Sequence, residues 1–289
     1  MLKKIDKFHS LMFSSNNLKR FETSILFLAV LGFIIHLALI YINRNYEVNI
    51  LNGIDNLLEN PISALYTPFS FILIYEVFLL IFYLPRSFTT SIAKEYEIIS
   101  LIMIRKVFED IPNLNINTGI FNQESLVLLY NLLGILVIYY LIFLFKKTRK
   151  NIPKRKTTTD ISRFIGYKKA MSIILVPVLV ILCVSNLFNW SKAVFIYQNF
   201  SENVNTIFFV DFFTILILVD VFILLISFGY TERYAQIIRN TGFIISTILL
   251  RLSFGVKDLS SIVLLVSGVI FGLIILKIYQ LTETNISLQ

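Results

Sequence analysis

Residues 95–110 read EYEIISLIMIRKVFED, and whether this stretch crosses a bilayer decides the topology of the whole chain. Its centre is apolar, but acids flank it and Arg105 lies inside it. Periodicity alone does not separate a span from an interfacial segment in such a case. The surrounding sequence does.

Of 289 residues, 56% are hydrophobic and 15% charged, 27 are Phe, and the mean hydropathy is +0.77. A soluble domain does not have this composition; it is that of an all-α polytopic membrane protein. A hydrocarbon core of about 30 Å needs roughly 20 residues of apolar helix. Six runs meet that length directly: 22–43, 64–84, 125–145, 169–188, 206–228 and 259–281. The first follows a basic start and resembles a signal peptide, but it is too long and no small-residue cleavage site follows it, so it reads as a retained helix. A second ambiguous stretch, 240–254 (NTGFIISTILLRLSF), rises only about 22 Å over its roughly 15 residues. It either spans or forms a re-entrant half-helix buried in protein.

Lys and Arg mark the cytoplasmic side of a membrane protein. The amino terminus (Lys3, Lys4, Lys7, Lys19, Arg20) and the run KKTRKNIPKRKTTTDISRFIGYKK at 146–169 are the strongly basic segments. If both lie inside, the chain emerges near Arg44, returns near Arg86, and re-enters from outside at 125. Something between 86 and 124 must then cross outward, and 95–110 is the only segment able to. The same logic gives eight helices with both termini cytoplasmic and acidic outer loops (Glu47, Asp55, Glu59; Glu109, Asp110, Glu124). A bacterial plasma (inner) membrane is the expected location.

The two halves also resemble one another. EVFLLI at 76–81 aligns with DVFILL at 220–225, and IISLIMIRKVF at 98–108 with IISTILLRLSF at 244–254, sharing IISxIxxRxxF. Glu76 thereby falls on Asp220 and Arg105 on Arg251, at nearly the same offset, and Gly134 falls on Gly268. Units with an even number of spans share one orientation and are related by a pseudo-two-fold axis along the membrane normal. The expected organisation is a basic, amphipathic N-terminus (1–21), a four-helix repeat (22–146), a basic cytoplasmic linker (147–168), a second four-helix repeat (169–281) and a tail (282–289).

Charges inside a span are costly, about 2.5–3.5 kcal/mol each on insertion scales. Counting from the inner ends of the apolar runs at 1.5 Å per residue places each acid and arginine at roughly 12–17 Å. Two buried ion pairs are therefore expected, Glu76 with Arg105 and Asp220 with Arg251, with the guanidinium offering a bidentate fork. The pairs either fix helix register or line a path at the repeat interface, where such transporters bind substrate. Secondary candidates are Glu97, able to pair with Lys94 at i+3; His36, a proton relay or a histidine bonded to a polar neighbour; and Asp211, near the outer end of its helix. Gly268 and Gly272 in GVIFG make a small-xxx-small packing motif.

Much chemistry is missing from the sequence. No GxxxxGK[ST] or GxGxxG loop occurs. The only histidines are His9 and His36 and the lone cysteine is Cys183, so zinc sites fail on ligand count. With no long soluble segment either, the chain reads as a non-enzyme without cofactor or metal. A voltage sensor would carry arginine at every third position of one helix, and here each helix has one deep arginine. The net charge of +8 sits mainly in a loop between spans, which points to the membrane rather than to nucleic acid. The expected function is a channel or secondary transporter for a small ion or polar solute, with Glu76, Arg105, Asp220 and Arg251 at or beside the path. The alternative is a non-transporting scaffold or signalling subunit whose basic loop at 146–169 docks anionic lipid or a cytoplasmic partner. A homo-oligomer fits either reading.

Overall fold

The structure, a computed structural model, describes residues 2–46, 61–111, 123–152, 159–192, 204–231, 233–256 and 258–287. Among these the regular secondary structure is entirely helical. A short amphipathic helix, α1 (Leu2–Met12), precedes α2 (Ser15–Tyr46), α3 (Tyr66–Tyr83), α4 (Phe88–Asp110), α5 (Gln123–Lys150), α6 (Thr159–Lys192), α7 (Val204–Phe228), α8 (Tyr234–Leu252) and α9 (Asp258–Ser287). Short 3-10 turns, Pro61–Leu65 and Ser253–Gly255, lead into α3 and out of α8.

Among the described residues, seven helices are long and apolar enough to cross a membrane, and the chain is an integral membrane protein. The exception is α4, the helix that contains 95–110. Its 23 residues rise about 34 Å, enough to span, but the charges that made the stretch ambiguous keep it below the apolarity of the others. The stretch 240–254 lies in α8 as far as Leu252 and in the 3-10 turn that follows it, which together form a span-length segment from Tyr234 to Gly255.

Several helices extend past the limits that hydropathy suggests. α4 starts at Phe88 rather than 95, because Thr90 and Ser91 donate backbone N–H bonds of 2.9 and 2.8 Å to Ser87 O, closing its first turn. The sequence TERYAQIIRN (231–240), read as a loop, is helical from Tyr234: the Arg239 guanidinium stacks 4.4 Å from the Tyr279 ring and bonds Asn240 Oδ1 at 2.9 Å, so its charge is accommodated within a helix. In the basic linker, α5 runs to Lys150 and α6 begins at Thr159, while 153–158 lie outside the described residues. The tail is helical to Ser287. Glu47, Asp55 and Glu59, and the side chains of Glu109, Asp110 and Glu124, also lie outside the described residues.

Within 2–150, neighbours in sequence pack as α2 on α3, α3 on α4 and α4 on α5; within 159–287 the order is α6 on α7, α7 on α8 and α8 on α9. The main contacts that join these sets are α5 on α9, α1 on α6, α4 on α8, and α3 on α6. Half of the apolar stretch in 234–255 is buried, against 17% of that in 3–45, which contains most of α2, and 17% of that in α6. The centre is thus α4, α8 and α9, with α2 and α6 at the rim. Tyr96, Phe145 and Phe243 tie α4, α5 and α8 together, the Phe145 ring lying 5.0 Å from Tyr96 and 5.9 Å from Phe243. α1 packs on α6, where Lys169 Nζ meets Asp6 Oδ1 at 2.7 Å, and Phe13 just beyond it inserts against Phe78 and Phe82.

Candidate functional site

α3 and α4 are antiparallel neighbours, and every Cα–Cβ bond leans toward the N-terminus of its own helix. Glu76 and Arg105 therefore reach toward each other along the bundle although their backbones sit at different heights. Arg105 Nη1 lies 2.7 Å from Glu76 Oε2 and also donates to Phe69 O at 3.1 Å. Both side chains are buried. The equal depth expected from sequence needs correction: with α4 starting at Phe88 and α8 at Tyr234, Arg105 falls in the last two turns of its helix and Arg251 is the penultimate residue of its own. The direction of the side chains, rather than equal height, brings the partners together.

Arg251 has two acidic neighbours. Its Nη1 lies 2.6 Å from Asp220 Oδ2, and its Nη2 donates to Glu95 Oε1 at 2.6 Å. Both contacts are close ion pairs, and the better aligned bond goes to Glu95, on α4. Asp220 accepts a second bond from Thr247 Oγ1 at 3.2 Å. Lys168, also buried, completes the group: its ammonium donates to Arg86 O at 2.7 Å and lies 4.7 Å from the Phe88 ring. Glu95, Lys168 and Asp220 share a cavity of about 10 Å³ with Leu84, Phe88 and Ile244. Two buried carboxylates and two buried cations are thus gathered at one place, and their formal charges cancel.

The remaining candidates lie apart from this cluster. Glu97 Oε2 takes Lys94 at 2.7 Å and its Oε1 takes Lys146 of α5 at 2.6 Å, at the partly exposed outer side of α4. His36 Nδ1 is 2.7 Å from Thr67 Oγ1, between α2 and α3. Asp211 is exposed near the start of α7. Gly268 faces Ser246 O and Leu249 of α8, and a Cβ on Gly272 would collide with the Tyr96 hydroxyl. That hydroxyl is 2.6 Å from Ser246 Oγ, which in turn donates to Gly268 O at 2.7 Å.

Sequence reasoning missed Glu95 and Lys168. For Glu95 a signal existed: Ile92, Tyr96, Ile99 and Met103 form the buried stripe of α4, and Glu95 lies on it while Glu97 does not. The repeat could not reveal it, because the register that aligns the arginines sets Glu95 against Thr241. Lys168 was hidden at the end of a basic run that reads as a solvated loop. Comparison with protein-family models, with curated proteins and with solved structures gives no match.

Proposed function

We propose that this protein is a carrier for a small ion or polar solute, built from two four-helix units, α2–α5 and α6–α9, that share one orientation. In this reading all eight helices cross a bacterial inner membrane, α4 included, both termini are cytoplasmic, and the chain has no enzymatic role. The pairing of equivalent helices, α5 with α9 and α4 with α8, supports a pseudo-two-fold axis along the membrane normal, since such an axis brings like against like. One observation carries the function. The Arg251 guanidinium is held between Asp220 of its own unit and Glu95 of the other, 2.6 Å from each, so the charges lie on the seam along which two units would rock. Opening the seam separates Glu95 from Arg251 and leaves Arg251 with Asp220, which makes Glu95 the carboxylate free to take up a cation or a proton.

The test is flux into liposomes reconstituted with the full chain. Glu95→Gln and Asp220→Asn should each abolish uptake while the protein still inserts and stays monodisperse, and Glu76→Gln, away from the seam, should leave a measurable fraction. Uptake that survives both seam substitutions sinks the carrier reading.

A second reading has its own support. A cavity of about 10 Å³ is at the lower limit for holding one water, about 10–15 Å³, and paired charges in such a space serve equally as registry devices. The protein is then a scaffold or signalling subunit, alone or as a homo-oligomer, whose basic segment 146–169 docks anionic lipid or a cytoplasmic partner. Here the same substitutions lower thermal stability in detergent, and wild-type protein shows no flux.

A further inference from the structure

A groove separate from the seam cluster runs between α4 and α5. It encloses about 400 Å³ and is lined by Glu97, Ser100 and Leu101 on one side and Tyr139, Phe143 and Lys146 on the other. That volume lies within the roughly 300–1,000 Å³ of ordinary ligand sites. The groove changes character along its length. At one end Glu97 sits between the Lys94 and Lys146 ammonium groups, at 2.7 and 2.6 Å. From there Leu101, Tyr139 and Phe143 continue one to two turns away as an exposed apolar wall.

We infer that this groove binds one anionic phospholipid, with the phosphate on Lys94 and Lys146 and one acyl chain lying along Leu101, Tyr139 and Phe143. Charge complementarity selects the headgroup. Two ammonium groups face one carboxylate, leaving one net positive charge. Each ammonium has three donors and gives one to Glu97, and both side chains stay accessible, at 36% and 46% exposure. The next turn of α5 adds Lys147, Arg149 and Lys150, which raises the local potential that attracts an anionic lipid. The height fits as well. Lys146 follows directly on the apolar run 125–145, where headgroups lie, and the aromatic wall falls at acyl depth. The carboxylate is a competitor for the lysines as well as their anchor, so its loss should strengthen lipid binding.

The experiment uses full-length protein in detergent and native mass spectrometry, with phosphatidylglycerol and phosphatidylcholine of the same chains as probes. Wild type should retain the glycerol lipid in preference to the choline lipid. Glu97→Gln should raise that preference. Removing both lysines alone would strand Glu97, so the decisive variant is the triple Lys94→Gln/Glu97→Gln/Lys146→Gln, which removes one net positive charge and in which the preference should drop about fivefold. Leu101→Trp, which fills the apolar wall, should weaken both lipids together and leave their ratio unchanged. Added inorganic phosphate should displace neither. Equal retention of the two lipids by wild type, a triple variant that keeps the wild-type preference, or displacement by phosphate would each overturn the proposal.

Discussion

Glu95 and Glu97 stand two residues apart on α4 and have opposite surroundings. Glu95 is buried against Arg251 from the far half of the chain, whereas Glu97 is about a quarter exposed and shared between two accessible lysines. Removing one partner of a buried pair leaves the other charge uncompensated, at a cost of about 3–5 kcal/mol; exposed pairs are worth about 0–1 kcal/mol. Arg251→Ala, which strands two carboxylates at once, should lower the detergent melting midpoint sharply, by the equivalent of at least about 3 kcal/mol. Glu97→Gln should change it by no more than about 1 kcal/mol. Arg251→Lys should fall near the alanine variant, because one ammonium lacks the planar fork that serves Asp220 and Glu95 together. Equal midpoints for Arg251→Ala and Glu97→Gln would remove the energetic distinction between the two sites. Glu76 with Arg105 was legible in the sequence because the same acid and arginine recur in α7 and α8. Glu95 was marked only by its place on the apolar stripe of α4, since its partner is distant in sequence and it has no second copy to announce it.

At the scale of elements, hydropathy locates the middles of the helices and misjudges their ends. It looks for the hydrocarbon thickness, whereas backbone hydrogen bonds carry α4 back to Phe88 and α8 back to Tyr234, beyond the apolar stretch. The error left both arginines about ten residues from the helix start, whereas each lies 17 residues beyond it (88 to 105 and 234 to 251). The glycine pattern in α9 was legible as close packing, but its partner was not. Gly272 makes room for the hydroxyl of Tyr96, which crosses from α4 to bond Ser246 of α8. Gly272→Ala should therefore cost about 1–3 kcal/mol, the usual range for an overpacked core. In a Tyr96→Phe background the colliding oxygen is gone, and the added cost of Gly272→Ala should fall. Thermal denaturation of the four proteins of this cycle measures the coupling; strictly additive effects would mean that Tyr96 and Gly272 do not press on each other.

For the whole molecule, the proposed eight crossings turn on α4, among the described residues the one long helix that composition alone does not mark as a span. Reporter tags on the amino terminus, at the 153–158 segment and on the carboxyl terminus should all report one side of the membrane. A carboxyl terminus opposite the amino terminus would mean an odd number of crossings and exclude α4 or another helix. One α4 charge also bonds across the halves. Lys168 bonds the turn after α3 through Arg86 O, and Arg251 bonds α4 through Glu95, so the least apolar helix is tied to the other half through a buried charge.

That engagement has a consequence for how the protein is made. Glu95 and Arg251 are 156 residues apart, and a ribosome adding about 5–20 residues per second needs roughly 8–30 s to cover that distance. During this interval α4 has been synthesised and its guanidinium partner has not. A nascent chain stopped before α8 should hold α4 poorly in the bilayer, and extension through Arg251 should secure it, a difference readable by glycosylation mapping of truncated chains. On this account the order of biogenesis is written into one salt bridge: the first half completes its insertion only when the second half delivers the arginine.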